Sequence, residues 1–219
     1  MLYKTQHIIN NNLINLSYNN LETIVKYIPQ KPIEKKPIYD KNDDFLFFIF
    51  FIFVKGEMEF EYIKKQKYTI AQEFKINASL KIKKTKFNNR KLVKSKILNN
   101  MCHEKKISLM TLAALCFIYE INILYCVNDV KYYNLGDNYI EEINILINDH
   151  GTINFIKNAT KEDIEKYTQN TIKMESFEEK LKSLSSYKLS DLHNIANILK
   201  ISVKNKPKQT IYNEIQKIL

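Results

Sequence analysis

The sequence predicts an α+β fold, in which a mixed helix and strand core domain is followed by a small all-α C-terminal module. Between residues 108 and 148, one helical pattern precedes three strand-like runs that are separated by turn residues. From residue 189 onward, apolar residues recur at three- and four-residue steps, which is the spacing of helices. The 219 residues suffice for one medium domain and one small domain.

The first 42 residues divide into a helical segment and a linker. Residues 1–28 carry apolar side chains at helical spacing, without the apolar core or cleavage site of a signal peptide. Residues 29–42 contain three prolines, which fix the backbone angle φ and remove hydrogen-bond donors. This composition predicts an extended linker, after which we expect the core domain to cover residues 43–156.

Ten consecutive apolar residues, 45–54, form the most hydrophobic stretch of the chain. A membrane-spanning helix needs roughly 20 residues, and a lone strand cannot cross lipid with its backbone unpaired, so no membrane span is expected. The run is interpreted as an element buried on both faces, and its Phe, Ile and Val content favours a strand over a helix. Gly56 predicts a turn, and the alternation of Met58, Phe60 and Tyr62 predicts a second strand.

The basic residues are clustered along the chain. The net charge is +10, and residues 64–106 contain fourteen basic residues and two acids. A lysine-rich composition is typical of an AT-rich genome, but such a bias would spread lysine evenly. We therefore predict that this segment contacts nucleic-acid phosphates; a solvated helix face, an anionic membrane surface and an acidic partner remain alternatives. The predicted contact residues here are Lys81, Lys83, Lys84, Lys86, Arg90, Lys91, Lys94 and Lys96.

The clearest core pattern lies between residues 107 and 149. Ser108 is placed to cap a helix with a wide apolar face. Residues 121–127 predict a buried strand, Asn128-Asp129 predicts a turn, and the following residues predict an antiparallel strand. A third strand-like run ends before Gly151.

Residues 157–184 are predicted to form a helical connector between the core domain and the C-terminal module. Thr160 and Asp163 have the spacing of a capping box, in which each side chain bonds the other's backbone amide. We expect the helix that they start to run to about Ser176.

Residues 185–219 predict two short helices joined by an extended basic link. Apolar residues recur at helical steps from Leu189 to Leu199 and from Ile211 to Leu219. This pattern resembles the SAP-type helix–extended–helix module and its relative at the N-terminus of Rho-like factors, although Lys200 stands where a glycine is usual. The resemblance implies DNA or RNA binding through the link and the start of the second helix. The lysines that it assigns to phosphates are Lys188, Lys204, Lys206 and Lys208.

A wider resemblance covers residues 43–219. An apolar block after Asp, a lysine-rich helix, a core of the type TLAALC…INILY…KYY and a C-terminal SSYKLSDL are similar to uncharacterised proteins of nucleocytoplasmic large DNA viruses. The resemblance implies an intracellular viral protein of the host cytoplasm or the virus factory, or one packaged in the virion. In such relatives the apolar block can carry Trp-Cys, and Phe47-Phe48 stand in that region here. A degenerate papain-like or OTU-like fold without activity is therefore an alternative.

The chain carries no recognisable catalytic or cofactor motif. Its three glycines exclude a glycine-rich phosphate loop, and its four histidines form no zinc-protease pattern. Three cysteines without a Cys-x-x-Cys pair are typical of a reducing compartment, and Cys116 and Cys126, within apolar runs, are interpreted as core. We therefore predict no catalytic residue, no metal and no cofactor. A Cys/His catalytic pair, whose members would meet only in the folded chain, and with it an enzyme of unrecognised type, stays an alternative.

The predicted function is non-enzymatic, non-specific binding of nucleic acid, with AT-rich DNA as the expected target. Lysines would neutralise phosphates and read few bases. The principal alternative is a structural protein of the virion or virus factory that contacts other viral proteins.

Overall fold

A computed structural model of the chain describes residues 43–87, 91–136, 142–178 and 181–219, and it shows the predicted α+β fold with an all-α C-terminal part. The predictions for residues 1–28 and for the linker up to residue 42 lie outside the described residues. In chain order the helices are α1 (Phe45–Lys55), α2 (Glu57–Ile63), α3 (Lys67–Lys84), α4 (Lys94–His103), α5 (Leu109–Ile118), α6 (Lys161–Thr168), α7 (Leu189–Ile198) and α8 (Lys208–Ile218). The strands are β1 (Asn122–Val127), β2 (Lys131–Leu135), β3 (Ile143–Asp149), β4 (Thr152–Ile156) and β5 (Ile172–Lys173).

The apolar run forms helix α1, so the prediction of a strand there was wrong. Asp44 caps the helix by accepting a hydrogen bond from the Phe47 amide at 3.3 Å, and Gly56 ends it with φ of 97°. Residues 47–52 are all buried, so protein covers the helix on every side. Such a helix has no amphipathic period, and the sequence pattern of a buried strand is the same.

Helix α2 takes the place of the second predicted strand, so that prediction was also wrong. Phe60 is buried, whereas Met58 and Tyr62 are each 89% exposed. Residues four apart share one face of a helix, and the residue midway between them lies on the opposite side. The alternation therefore reflects one inward side chain between two outward ones. As predicted, the chain turns at Gly56, between α1 and α2.

The elements predicted between residues 107 and 149 are confirmed. The Ser108 hydroxyl accepts a hydrogen bond from the Thr111 amide at 3.2 Å and caps α5. Strands β1 and β2 pair antiparallel through Asn128 and Asp129, whose φ angles of 54° and 52° suit a tight hairpin turn. Strand β3 then pairs parallel with β1.

The connector is only partly helical. The capping box of Thr160 and Asp163 is present, but α6 ends at Thr168 and not near Ser176. Asn170 adopts a left-handed conformation with φ of 59°, and the Thr171 hydroxyl donates to carbonyls of the last helical turn. The chain thereby changes direction and enters strand β5, which pairs parallel with β2. Strands β4 and β5, which the sequence patterns did not indicate, complete the sheet order β4-β3-β1-β2-β5.

The sheet carries a hydrophobic cluster on each face. Because alternate residues of a strand point to opposite faces, Ile123 and Tyr125 pack with helices α1 to α5, while Leu124 and Cys126 pack with α6. In a third cluster, α7 and α8 share buried side chains with Ile172 of β5. In the described part of the chain, no helix combines the length and the apolarity that a membrane span requires.

Lys200 adopts a left-handed backbone conformation just after α7. Its φ is 56°, and the Ile201 amide donates to the Ala196 carbonyl at 2.8 Å, which closes the end of α7. A left-handed conformation is strained for a side chain with a Cβ atom.

We expect Lys200→Gly to raise the free energy of unfolding by roughly 0.5–1 kcal/mol, because glycine adopts this conformation without strain. Urea denaturation measures the change. The control is Lys200→Ala, which removes the same charge but keeps the strain. Equal stabilisation by both variants would show that charge and not backbone geometry is responsible.

Candidate nucleic-acid interface

Four lysines meet at the C-terminal end of α3, and we call them the α3-end cluster. Lys83 and Lys84 lie in the last turn, Lys86 follows it, and the Lys94 ammonium donates to the Lys83 carbonyl at 3.1 Å. Cations are favoured at this end of a helix because its unpaired carbonyls carry partial negative charge. Among the described residues, no acidic side chain forms an ion pair with any of the four.

The basic segment of residues 64–106 is partly neutralised in the folded chain by ion pairs with acidic side chains from elsewhere. Among the described residues, four lysines of this segment pair with acids that lie outside residues 64–106, which neutralises part of its excess of positive charge. The pairs are Lys64–Glu61 at 3.2 Å, Lys67–Asp43 at 2.5 Å, Lys75–Asp44 at 2.7 Å and Lys96–Glu178 at 2.7 Å. The four lysines of the α3-end cluster are not members of these pairs.

Lys81 and Lys96, which are predicted contact residues outside the α3-end cluster, already have partners. The Lys81 ammonium lies 4.3 Å from the centre of the Tyr119 ring, which it approaches as a cation–π contact. Lys96 is bound to Glu178, but both side chains are more than half exposed. An exposed pair of this kind is worth about 0–1 kcal/mol, so a phosphate can compete for the lysine.

Lys91 links the first basic segment to the C-terminal part of the chain, whereas Arg90 lies outside the described residues. Lys91 lines a groove of about 440 Å³ together with Lys173, Lys182 and Tyr187. Glu175 also lies there, and the hydrogen bond from Lys182, at 2.8 Å, lowers the pKa of the Glu175 carboxyl. The groove therefore combines several positive charges with one acid that is already paired.

The four predicted contact lysines of the C-terminal module lie before α7, in the link and at the start of α8. Lys188 directly precedes α7, Lys204 lies in the link, and Lys208 is the first residue of α8. Lys206 is bound to Glu214 at 2.7 Å, and both side chains are about one-third exposed. Lys188 and Lys204 are exposed, and Lys208 is half-buried.

Sequence patterns did not identify Asp43 and Asp44 as functional partners of the lysines. Asp43 is buried and binds the Lys67 ammonium and the Tyr68 hydroxyl, the latter at 2.6 Å. That hydrogen bond raises the pKa of Tyr68. A signal was present, because two acids next to a long apolar run must find partners when the run is buried.

The residues considered for chemistry are divided between core and surface. Phe47 and Phe48 are fully packed core side chains. Cys116 and Cys126 are buried as predicted, and burial raises the pKa of the Cys126 thiol to about 12, so it remains protonated and unreactive. Cys102 is exposed. Within the described ranges, no three His, Cys, Asp or Glu side chains are grouped as metal ligands.

No family model matches this chain, and neither a curated protein sequence nor a solved structure matches it at a significant level.

Proposed function

We propose that this chain is a non-enzymatic protein of a large DNA virus that binds nucleic acid, with DNA as the expected target. The observation that carries the proposal is the α3-end cluster, where four lysines converge without an acidic partner among the described residues. Its viral origin and its place in the host cytoplasm, the virus factory or the virion rest on the sequence resemblance.

Binding through this surface is directed at the phosphate backbone. A lysine ammonium is a compact point charge on a flexible stem, whereas the planar guanidinium of arginine is the group that most often reads guanine. The chain has a single arginine among its 34 basic residues. Contacts made by lysine alone position a protein on the duplex with little dependence on sequence.

The C-terminal module offers a second set of phosphate contacts. Lys204 and Lys208 lie in the link and at the start of α8, which are the positions that SAP-type modules use. Because α7 and α8 share a core with Ile172 and Met174, removing residues 185–219 would expose that core. Charge substitutions in the full chain therefore test the surface more cleanly than a truncation does.

We expect replacement of all four lysines of the α3-end cluster by glutamine to weaken binding to an AT-rich duplex. Each phosphate contact on duplex DNA contributes about 0.9 to the slope of log affinity against log salt, so the slope falls by roughly 3–4. Fluorescence anisotropy of a labelled duplex, titrated at several salt concentrations, gives the slope for the wild type and the variant.

The matched control replaces four other exposed lysines, Lys65, Lys157, Lys161 and Lys217, by glutamine. It has the same net charge as the cluster variant, and we expect it to keep nearly the wild-type slope. Equal losses in both variants would mean that net charge alone attracts DNA. No binding by the wild type at low salt would contradict the proposed function.

A structural role in the virion or virus factory is the second candidate function. Met58 and Tyr62 lie on one face of α2, and each is 89% exposed. Neighbouring exposed apolar side chains are typical of protein–protein contact sites. Absence of DNA binding by the wild-type chain at low salt would favour this structural role.

A further inference from the structure

A cavity of about 670 Å³ lies between α1, α3 and the residues that end α4. Small-molecule sites in proteins occupy roughly 300–1,000 Å³ and combine an apolar lining with a few polar groups. Phe47, Phe48, Ala71 and Met101 supply the apolar lining. The cavity is independent of the groove beside Lys91, since no residue lines both.

Helix α3 places an unusual row of apolar side chains at the mouth of this cavity. Ile76 and Leu80 both line it, yet they are 57% and 52% exposed. They lie one helical turn apart on the same face, with Tyr68, 65% exposed, two further turns along. An apolar occupant of the cavity would cover Ile76 and Leu80 and remove them from water.

The charged residues of the cavity divide into a paired set and an unpaired set. Asp44 is satisfied by the amides of Phe47 and Ile107 and by the Lys75 ammonium, so this ion pair adds no net charge. Lys83 and Lys105 come from two different walls, and no acid among the described residues forms an ion pair with either. With Glu104 as the remaining acid of the lining, the unpaired set has a positive excess.

We propose that this cavity binds a single-chain anionic amphiphile, such as a long-chain carboxylate. Its apolar chain lies against Ile76 and Leu80, and its head group is held by Lys83 and Lys105. An amphipathic protein helix fits less well, because a cylinder about 10–12 Å wide fills this volume within two turns. Complementary charge and apolar surface thus favour a small amphiphile over a protein partner.

The test uses a fluorescent probe and two competitors that differ only in the head group. Dansyl-undecanoic acid is titrated into the full chain and then displaced with dodecanoate or with dodecanol. We expect dodecanoate to displace the probe at about tenfold lower concentration than dodecanol, since only the carboxylate pairs with the lysines. A neutral competitor that works equally well would overturn the role of the lysines.

Two double variants separate the head-group contact from the chain contact. We expect Lys83→Gln with Lys105→Gln to weaken dodecanoate about tenfold and leave dodecanol unchanged. Ile76→Gln with Leu80→Gln should weaken both competitors about tenfold, and these exposed positions tolerate the change without loss of fold. The control Lys65→Gln with Lys106→Gln, two exposed lysines outside the cavity lining, should bind like the wild type.

A lipid bilayer also presents anionic head groups attached to apolar chains, so it is the other possible ligand for this site. Flotation with phosphatidylglycerol vesicles, at a salt concentration that suppresses general lysine attraction, distinguishes the two. The proposal expects the wild type and the Ile76, Leu80 variant to float equally little. Failure of dodecanoate to displace the probe, or vesicle binding that depends on Ile76 and Leu80, would show that the site does not hold a free amphiphile.

Discussion

Replacing Asp44 with alanine is expected to lower the free energy of unfolding by about 3–5 kcal/mol, because the largely buried Lys75 ammonium loses the carboxylate that neutralises it. The Lys75 ammonium lies 2.7 Å from Asp44, and the two side chains are only 14% and 8% exposed. Asp44 also accepts hydrogen bonds from the Phe47 amide, at 3.3 Å, and the Ile107 amide, at 3.0 Å. One carboxylate therefore caps α1 and fixes the chain that enters α5.

The matched control for Asp44 is Glu178→Ala. The Lys96–Glu178 pair has the same distance of 2.7 Å, but its side chains are 57% and 52% exposed. Water and salt screen an exposed pair, so we expect a loss of at most about 1 kcal/mol. Urea denaturation of both variants gives the comparison. Similar losses from the two substitutions would mean that burial does not strengthen the Asp44 interaction.

A double-mutant cycle separates the ion pair from the cap. Asp44→Ala combined with Lys75→Met removes both buried charges, and we expect it to be less destabilising than the sum of the single changes by about 1–3 kcal/mol. Strict additivity would mean that the two side chains do not interact. In that case the cap and the Ile107 contact would account for the whole effect of Asp44.

The sequence predicted correctly those elements whose residue spacing or turn residues are compatible with only one kind of secondary structure. The Ser108 cap, the β1–β2 hairpin and the helices of the C-terminal module each have such a local signature. Helix α1 has no such signature, because a continuous apolar run has the same sequence pattern whether it folds as a buried helix or as a buried strand. The two-residue strand β5 exists only through its pairing with β2, which no local pattern encodes.

The lysine positions were readable from the sequence, but their neutralisation was not. Asp43 and Asp44 reach Lys67 and Lys75 across 24 and 31 residues, and Glu178 reaches Lys96 across 82 residues. Counting charges along the sequence cannot detect these pairs, because the tertiary fold brings their members together. For the same reason the cavity beside α3 could not be predicted, as its lining comes from three separate helices and the residues that follow α4.

Replacing Phe50 with alanine is expected to cost about 3–5 kcal/mol, the range measured for deleting a fully buried aromatic ring. The Phe50 side chain is fully buried, and its ring centre lies 5.6 Å from that of Tyr119 and 6.2 Å from that of Phe74. Through these contacts Phe50 joins α1 to α3 and to the end of α5. A cavity here therefore loosens three helices together.

Phe53→Ala is the control, because it removes the same ring from the same helix. Phe53 is half-buried and touches Phe155 of β4, with ring centres 5.6 Å apart. We expect it to lose about 1–2 kcal/mol, in proportion to the smaller area that it buries. Urea denaturation with an unchanged dependence on denaturant would confirm that both variants start from the same native state. Equal losses would mean that α1 is held as firmly by the sheet edge as by α3 and α5, contrary to the burial of the two rings.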